Sequence, residues 1–486
     1  MSIGYVTILI PSLTDVNSCE DIYLNENQTS WLSAVMSIMS LIGSIFSGVV
    51  AERFGRKRSM MFCAVPLFMS WMIYYYSTEF WHIVAALSIH GVTNGLIEAP
   101  VLSYVAEVAE PAMRGMLSAT TTLFIVLGVF LEFIIGSSMH WKVAALVTSA
   151  VPILAFTLLT LVPETPYWFL THNKPDQARK SLAWLRGWTT VENVEQEFQE
   201  IQKEFKRKSA RVRHLVFEDQ VGKVSLPTKH VSVKSTNLLE SSEKYFKKSF
   251  LWPLSLVTFL FGWTSFAGIL TLQTFGVIIF ATLKVPINKH YATILMGSCQ
   301  FIGTLLCTFI VPYCGKRITA LVPISCLCIC NICLGIYAYI YQVTNLDFTN
   351  SHHLLTSQGH QWIPLLLLMF MAFIAHCGPR NLPWTITGEV FSHETRGVGC
   401  GLSGGFNYLA VFIANKVYLH MVAVLSFPGV YWTYGCVCFI GLITVYFALP
   451  ETEGKTLEEI SCHFSGRVKL DNKVKRKTMR GSNIDI

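Results

Sequence analysis

Long apolar runs separated by short polar breaks are the dominant pattern of the chain. A run of about 20 apolar residues is long enough to cross the hydrocarbon core of a bilayer as a helix. Eleven such runs are predicted as spans, near residues 30–51, 59–77, 82–106, 116–137, 142–162, 251–281, 291–311, 318–342, 362–388, 397–425 and 428–449. The pattern predicts an all-α protein that crosses a membrane many times.

A shorter apolar run, "MSIGYVTILIPSL", occupies residues 1–13. It has neither the basic start nor the small-residue cleavage site of a signal peptide. We interpret it as the second half of a further span, the first of twelve. Its missing beginning is expected to reflect an incomplete gene model.

Lysine and arginine are concentrated on one side of the predicted membrane. Of the 37 basic residues, 32 lie in six segments on that side: 52–58, 107–115, 171–250, 315–317, the turn at Arg396 and the tail from 450. Basic loops stay in the cytoplasm, so these segments and both termini are predicted to be cytoplasmic. The formal net charge of +7 then indicates contact of the tail with anionic lipids rather than with nucleic acid.

The composition agrees with a membrane protein and gives no sign of a metal or cofactor site. The chain has 52% hydrophobic and only 14% charged residues, with a mean hydropathy of +0.47. Soluble domains carry about 25% charged residues. Of the 14 cysteines, only Cys19 falls in a predicted outer loop, so no disulfide within the chain is expected. Cys326, Cys330 and Cys333 share one helical face, but they lack the nearby carboxylate or histidine ligands of a metal site.

Three short motifs occur twice along the chain, in the same order. "GVVAERFGRK" at 48–57 has a weaker partner in "PYCGKR" at 312–317. "EVAEPAMRG" at 107–115 is matched by "EVFSHETRG" at 389–397. The tripeptide Pro-Glu-Thr closes each set, in "VPETPYWFL" and in "LPETEGKTL".

Such repetition indicates two six-span halves in the same orientation, a plan found in many secondary transporters. The charged segment after the first half has an apolar pattern at 171–210 that predicts short amphipathic helices beneath the bundle, with disorder expected beyond 210. The predicted units are a first half at 1–170, a cytoplasmic loop at 171–250, a second half at 251–449 and a basic tail at 450–486.

On these motifs the sequence resembles the sugar porters of the major facilitator superfamily, and among them the facilitated glucose and trehalose transporters. The resemblance covers nearly the whole chain except residues 205–245 and the last twenty. It implies the twelve-span major facilitator fold and facilitative uniport of a hexose or trehalose by alternating access. It also implies a monomer of the plasma membrane, whose partners are a sugar and the lipid bilayer and which needs no cofactor.

In this family, charged groups at the cytoplasmic rim form salt bridges that hold that side shut. Orientation alone would explain the positive residues as topology signals, but it does not explain the repeated glutamates. Pro312 and Tyr313 replace an acid-base pair of the second motif, so a weaker gate is expected in the second half. The predicted gate residues are Glu52, Arg53, Arg56, Lys57, Glu107, Arg114, Glu164, Lys316, Arg317, Glu389, Arg396 and Glu451.

A sugar site needs paired hydrogen bonds and an aromatic face. By resemblance, "GPRNLPW" at 378–384 is the family's broken tenth helix, and Trp384 is its substrate-facing tryptophan. For each polar candidate the alternative is a hydrogen bond between helices. The predicted substrate-binding residues are Thr122, Thr264, Ser265, Gln300, His376, Trp384 and Asn407.

Several positions depart from the family pattern. Thr264, Ser265 and Leu270 stand where the seventh span of the family carries two glutamines and an asparagine. Arg380 stands where a glycine is usual, and a cation at such depth needs a partner, for which Glu98 and Glu132 are the available carboxylates.

The resemblance leaves the function open in two respects. Proton-driven relatives carry an Asp and an Arg where this chain has Val6 and Leu87, which favours uniport, although an intramembrane glutamate would permit proton-coupled symport. The altered seventh span and short first span also permit a sugar sensor or degenerate homologue that does not transport. An enzyme is not expected, because the chain has no nucleophile-base set, metal motif or phosphate loop. Asn27 in "NQT" is the one acceptor sequon predicted on the outer face, so a glycoprotein is expected.

Overall fold

The computed structural model of the protein describes residues 1–14, 22–108, 114–203, 244–346, 360–391, 395–455, 457–466 and 470. All regular elements in these ranges are helices. The first half contains helices α1 to α9, which are Ser2–Thr14, Glu26–Phe54, Arg56–Tyr75, Phe80–Val108, Arg114–Ser138, Trp141–Thr148, Ala150–Leu161, Pro166–Thr171 and Pro175–Leu185.

The second half repeats the arrangement of long helices. Its helices α10 to α17 are Lys248–Ser265, Ile269–Thr282, Lys289–Cys314, Lys316–Ile340, Trp362–His376, Leu382–Val390, Arg396–Ala448 and Leu457–Phe464.

Each of the first ten predicted spans coincides with one helix or with a broken pair of helices, and the last two spans share the single long helix α16. The pair at the seventh span breaks at Gly268, which has a φ of 83°, and α16 holds the last two spans on either side of Ser426, which has a φ of 63°. Eight described segments are long and apolar enough to cross a membrane, and α1 and α14 are shorter apolar helices. The helical part of the prediction is therefore confirmed.

The tight turns between spans two and three, and between spans eight and nine, are made in the same way. Gly55 has a φ of 97° and Gly315 a φ of 82°, values that side chains with a Cβ rarely adopt. Both glycines are buried, and each is followed at once by a new helix. The two turns of the repeated "GVVAERFGRK" and "PYCGKR" motifs thus share one backbone geometry.

Small residues bring helices α2 and α4 into close backbone contact. A Cβ added to Gly43 would collide with the carbonyl of Val92, and one added to Gly95 would collide with that of Ser40. Such glycine contacts are a usual way to pack helices in a membrane, where the hydrophobic effect does not drive association. The side chains of α1 complete the core of this half, since Tyr5 and Leu9 are almost fully buried.

The closest packing between the two halves involves three helix pairs of the described structure: α1 with α11, α2 with α16, and α5 with α12. Polar contacts between the halves include Thr7 Oγ1 donating to the Gln273 carbonyl at 2.6 Å and Asn415 Nδ2 donating to the Ser33 carbonyl at 3.2 Å. The helices that carry three of the candidate substrate-binding residues, Thr122, Gln300 and Asn407, therefore border the boundary between the halves.

The short helices predicted over 171–210 are present as α9 and a helix at 195–203, and the short helix α8 precedes them. They enclose a small apolar cluster that includes Leu182 and Phe198. Arg186 ties this unit to the bundle, because it pairs with Glu197 at 2.6 Å and donates to the carbonyl at the end of α4, Val108, at 3.4 Å. Cys19 and the segment predicted to be disordered beyond 210 lie outside the described residues.

Candidate functional site

Two predicted binding residues hold amide oxygens that are buried and have no partner. Gln300 on α12 is 2% exposed and Asn407 on α16 is 5% exposed. Neither Gln300 Oε1 nor Asn407 Oδ1 accepts a hydrogen bond in the described part of the chain. Because an unsatisfied buried polar group costs free energy, each of these oxygens needs a donor that the described residues do not supply, and a bound ligand can provide it.

The same test finds residues that the sequence did not single out. The Gln273 Oε1 atom on α11 and the Ser403 Oγ atom on α16 are also buried and without a partner among the described residues. Gln273 belongs to the seventh span, where the family amides at Thr264, Ser265 and Leu270 are absent. The only signal in the sequence was that Gln273 is a polar residue within an apolar span, and Gln273 was not among the predicted binding residues.

His376 lies at the point where the tenth span breaks. Its Nδ1 atom lies 3.0 Å from the Ala372 carbonyl of its own helix. The break follows at 377–381, and Gly378 is required there because a Cβ would collide with the carbonyl of Thr319. A Cβ on Gly303 would lie 3.4 Å from that of His376, which places His376 beside α12, one turn beyond Gln300.

Trp384 begins the second part of this broken span and faces the seventh span. Its ring makes an edge-to-face contact with Phe261, with centroids 4.8 Å apart, and the side chain is half-buried. Thr264 and Ser265 lie on the same helix as Phe261, but their hydroxyls donate to backbone carbonyls of that helix at 2.9 and 2.8 Å. Both can therefore only accept hydrogen bonds from a ligand. Thr122 on α5 is half-buried.

Arg380 does not pair with the carboxylates expected from the sequence. Glu132 Oε2 accepts a hydrogen bond from Thr148 at 3.1 Å, and Glu98 Oε2 accepts one from Tyr408 at 3.1 Å. The electrostatic neighbour of the Arg380 guanidinium is Tyr408 itself. A tyrosine from the eleventh span thus contacts Glu98 and interacts electrostatically with Arg380, which no sequence motif indicated.

At the rim of the first half that the sequence predicts to be cytoplasmic, Glu164 closes the turn at Gly55. Its carboxylate accepts hydrogen bonds from the backbone N–H groups of Arg56 at 3.0 Å and of Lys57 at 3.0 Å, the first residues of α3. A carboxylate at a helix N-terminus satisfies donors that the helix leaves free and complements its dipole. The missing side chain of Gly55 makes room for the Glu164 carboxylate.

The neighbouring residues complete the first-half cluster. The Arg56 guanidinium pairs with Glu107 at 2.8 Å, and the Thr165 hydroxyl donates to the other oxygen of Glu107 at 2.6 Å. Glu107 lies just past the span that ends at Val105. Burial raises the pKa of the Glu107 carboxyl, and the Arg56 charge opposes that shift. A partly buried ion pair is weak evidence for stability, so its main effect is to fix the relative positions of Arg56 and Glu107.

The second half contains the same cluster. Glu451 accepts hydrogen bonds from the backbone N–H groups of Lys316 at 3.1 Å and Arg317 at 3.0 Å. The Lys316 ammonium pairs with Glu389 at 2.5 Å, and the Thr452 hydroxyl donates to Glu389 at 2.9 Å.

One partner in this cluster has no counterpart in the first half. Glu453 lies 3.0 Å from the Lys316 ammonium, which is therefore held by two carboxylates. The sequence predicted a weaker second gate from Pro312 and Tyr313, but it did not identify Glu453.

The remaining predicted gate residues are placed differently. Glu52 and Arg53 are exposed; the Glu52 carbonyl accepts from the Trp168 indole at 3.1 Å, and Arg53 lies over the Phe54 ring at 5.9 Å. Arg114 and Arg396 begin α5 and α16, but their side chains lie outside the described part of the structure. Every ion pair described at the rim joins residues of one half.

Asn27 lies in the first turn of α2 and is exposed, whereas Thr29 of the same sequon is buried and donates to the Asn25 carbonyl at 3.0 Å. The side chain that would carry a glycan is therefore accessible at the end of this helix that is opposite the rim clusters.

Comparison with known proteins agrees with this architecture. A family model described as sugar (and other) transporter matches residues 4–464. The facilitated trehalose transporters Tret1 of Polypedilum vanderplanki and Bombyx mori are 29% and 28% identical to the chain. These alignments cover 92% and 94% of this chain and 81% and 82% of the relatives.

A solved structure shows the same fold. It is that of the major facilitator superfamily proton:xylose symporter XylE bound to 6-bromo-6-deoxy-D-glucose, which matches with a TM-score of 0.68 at 20% identity. The match covers 95% of this chain and 96% of that chain. The twelve-span, two-half major facilitator fold predicted from the sequence is therefore confirmed. Because the family match extends over nearly the whole chain, the chain belongs to the sugar transporter family of membrane proteins.

Proposed function

We propose that this protein moves a neutral sugar, a hexose or trehalose, down its concentration gradient by alternating access between its two halves. The observation that carries the proposal is the pair of unpartnered amide oxygens on Gln300 and Asn407, from two helices that border the boundary between the halves. Sugar hydroxyls are the donors that such oxygens lack. The relatives named facilitated trehalose transporters support the same cargo class.

Uniport is favoured by the apolar residues at the positions of the family's proton relay. Val6 is buried on α1 and Leu87 is buried on α4. Neither side chain can hold a proton or stabilise a charge. Downhill movement of sugar is therefore proposed over proton-coupled symport.

The cytoplasmic clusters would act within this cycle as rigid units. Each ties the turn between two helices to the end of a third and to the Pro-Glu-Thr exit of its own half. Rigid halves are what a rocking motion requires. Contacts that hold the cytoplasmic side shut would come from Arg114 and Arg396, which open the fifth and eleventh spans.

We place the protein in the plasma membrane as a monomer surrounded by lipid, with both termini in the cytoplasm and a glycan on Asn27. Many large apolar side chains are exposed on the helix surfaces, among them Phe62, Phe124 and Phe309, as expected of helices that contact lipid. The basic residues on the rim side support the orientation.

Uptake of labelled trehalose and glucose by proteoliposomes that hold the purified protein tests the function. Saturable uptake that is unchanged by an imposed proton gradient is expected, with protein-free liposomes as the control. Stimulation by an inward proton gradient would replace uniport with symport. Sugar binding without uptake would identify a sensor.

A further inference from the structure

Two opposite charges occupy equivalent positions in the two halves. Glu98 on α4 and Arg380 in the broken tenth span each lie nine residues before the repeated glutamates, Glu107 and Glu389. In a parallel repeat, equivalent positions lie at the same depth of the membrane and line a common interior. Charges at such depth are costly and are rarely kept without a role.

The Tyr408 side chain connects these charges across the boundary between the halves. Its hydroxyl, from the second half, donates to Glu98 Oε2 at 3.1 Å, and Ser44 of the first half donates to the same oxygen at 3.4 Å. Arg380, from the second half, interacts electrostatically with Tyr408. The carboxylate of Glu98 and the guanidinium of Arg380 are therefore linked through Tyr408, and the structure describes no ion pair between them.

Both charged groups retain unused capacity for hydrogen bonds. The two hydrogen bonds to Glu98 reach only Oε2, and no residue in the described part of the chain donates to Oε1. Among the described residues, the Arg380 guanidinium has neither a hydrogen bond nor an ion pair. Both side chains are half-buried rather than fully buried. Unused charged groups in such a place indicate a ligand that supplies both donors and acceptors.

The charges decide the class of that ligand. The formal charges of one carboxylate and one guanidinium sum to zero, so these residues together favour neither an anionic nor a cationic cargo. A sugar hydroxyl donates to a carboxylate and accepts from a guanidinium, and it carries no charge. We propose that Glu98, Tyr408 and Arg380 form a polar clamp that binds hydroxyls of the transported sugar from both halves.

This inference rests on the proposed function and adds a second polar wall to the site. It also accounts for the small number of hydrogen-bond donors that the seventh span offers to a sugar, because the hydroxyls of Thr264 and Ser265 donate to carbonyls of their own helix. Hydrogen bonds to charged groups are stronger than those to neutral amides. Two charged contacts would therefore offset the loss of three amide contacts.

The test compares the wild type with Arg380→Gly, Glu98→Gln and Tyr408→Phe in proteoliposomes. Uptake of labelled glucose and of labelled trehalose is measured with a series of monodeoxyglucoses as competitors. Each charge-removing variant is expected to raise the half-saturation concentration about tenfold, the effect of one charge-assisted hydrogen bond, with a smaller change in maximal rate. The wild type should discriminate against the deoxyglucose that lacks the contacted hydroxyl, and the matching variant should lose that discrimination.

Glu132→Gln is the matched control, since it removes a buried membrane carboxylate that bonds Thr148 and not Tyr408. It should leave the deoxyglucose ranking as in the wild type. A normal ranking in all three clamp variants, with normal wild-type uptake, would overturn the clamp and leave the proposed function intact. Thermal stabilisation of the detergent-purified protein by glucose or trehalose provides the second readout.

If sugar stabilises the wild type without being transported, and does not stabilise the clamp variants, the clamp proposal is supported and the proposed transport function is rejected. A wild type that neither moves sugar nor is stabilised by it would overturn both proposals. If Arg380→Gly does not fold, the ranking of deoxyglucose competitors in Tyr408→Phe decides whether the clamp proposal is correct, because that change removes one hydroxyl and keeps the ring.

Discussion

Glu164 and Arg56 are 108 positions apart in sequence, yet a Glu164 carboxylate oxygen lies 3.0 Å from the Arg56 backbone nitrogen. Glu451 makes the same contact with Lys316 at 3.1 Å in the second half. The repeated Pro-Glu-Thr thus has a structural explanation. Its glutamate caps the helix of the third span of its half, and its threonine binds the glutamate at the end of the fourth span.

Removal of either capping carboxylate is expected to destabilise its half. Glu164→Ala and Glu451→Ala would each leave two buried N–H groups unpaired at a helix start and remove a favourable charge from the helix dipole. Loss of a helix cap costs about 1–2 kcal/mol, so a clear drop in melting temperature is expected for the purified protein in detergent.

Glu52→Ala serves as the control for both variants, because Glu52 is an exposed glutamate near the same turn and its side chain caps no helix. It should melt within error of the wild type. If all three variants melt together, the caps contribute nothing measurable. If only Glu164→Ala is affected, the two halves are not equivalent in this respect.

The predicted gate residues were chosen from the positions of the repeated motifs, and their role as a gate stays a prediction, although the structure brings six of them together. Arg56, Glu107 and Glu164 meet at one turn, as Lys316, Glu389 and Glu451 do at the other. The role of these contacts could not be predicted from the sequence, because the same motif is compatible with a salt bridge within one half and with a salt bridge between the halves.

Other residues could not be found from a single sequence for physical reasons. Tyr408 matters because helices from two halves bring it to Glu98, a contact 310 positions apart. Gln273 matters because packing hides its amide oxygen and offers it no donor. The span pattern, by contrast, follows directly from hydropathy, which is why the helices were predictable and the pocket wall was not.

Charge reversal at Arg114 or Arg396 is expected to favour the state that is open to the cytoplasm. Arg114 and Arg396 are the first residues of their spans at the rim, where contacts in this family hold the cytoplasmic side shut. Arg114→Glu and Arg396→Glu should keep expression near the wild-type level and increase thiol labelling of engineered cysteines along the cytoplasmic entrance. A preference of about 1–3 kcal/mol for one state is sufficient for a large effect.

Arg53→Glu is the matched control, since Arg53 is an exposed rim arginine whose described contact is with the Phe54 ring. Labelling equal to the wild type in every variant, with normal sugar uptake, would return Arg114 and Arg396 to the role of topology signals.

Asn27 provides an independent test of orientation. Its sequon lies at the end of α2 opposite the basic rim, so a glycan is expected when the protein is made in a glycosylating host. Glycosidase treatment should then increase the gel mobility of the native protein and leave Asn27→Gln unchanged. If Asn27 is never modified while glycans are found on a predicted cytoplasmic loop, the proposed orientation is reversed.

The sugar pocket is tested by one change that removes a contact and one that restores a contact. Trp384→Ala should nearly abolish saturable uptake, because it removes the aromatic face for the sugar and the edge-to-face packing on Phe261. Leu270→Asn should lower the half-saturation concentration for hexose severalfold, since one good hydrogen bond contributes about 1 kcal/mol. Both are measured as concentration-dependent uptake in proteoliposomes.

Trp384→Phe controls for packing, because it keeps an aromatic ring beside Phe261 and should retain part of the uptake. The less polar wall at Leu270 also favours trehalose over glucose in the wild type, and competition among glucose, fructose, trehalose and an apolar glycoside would rank them. Leu270→Asn should shift that ranking toward glucose, because an added amide rewards a hydroxyl-dense ring. Weaker glucose uptake in Leu270→Asn, together with wild-type uptake in Trp384→Ala, would move the site away from the seventh and tenth spans.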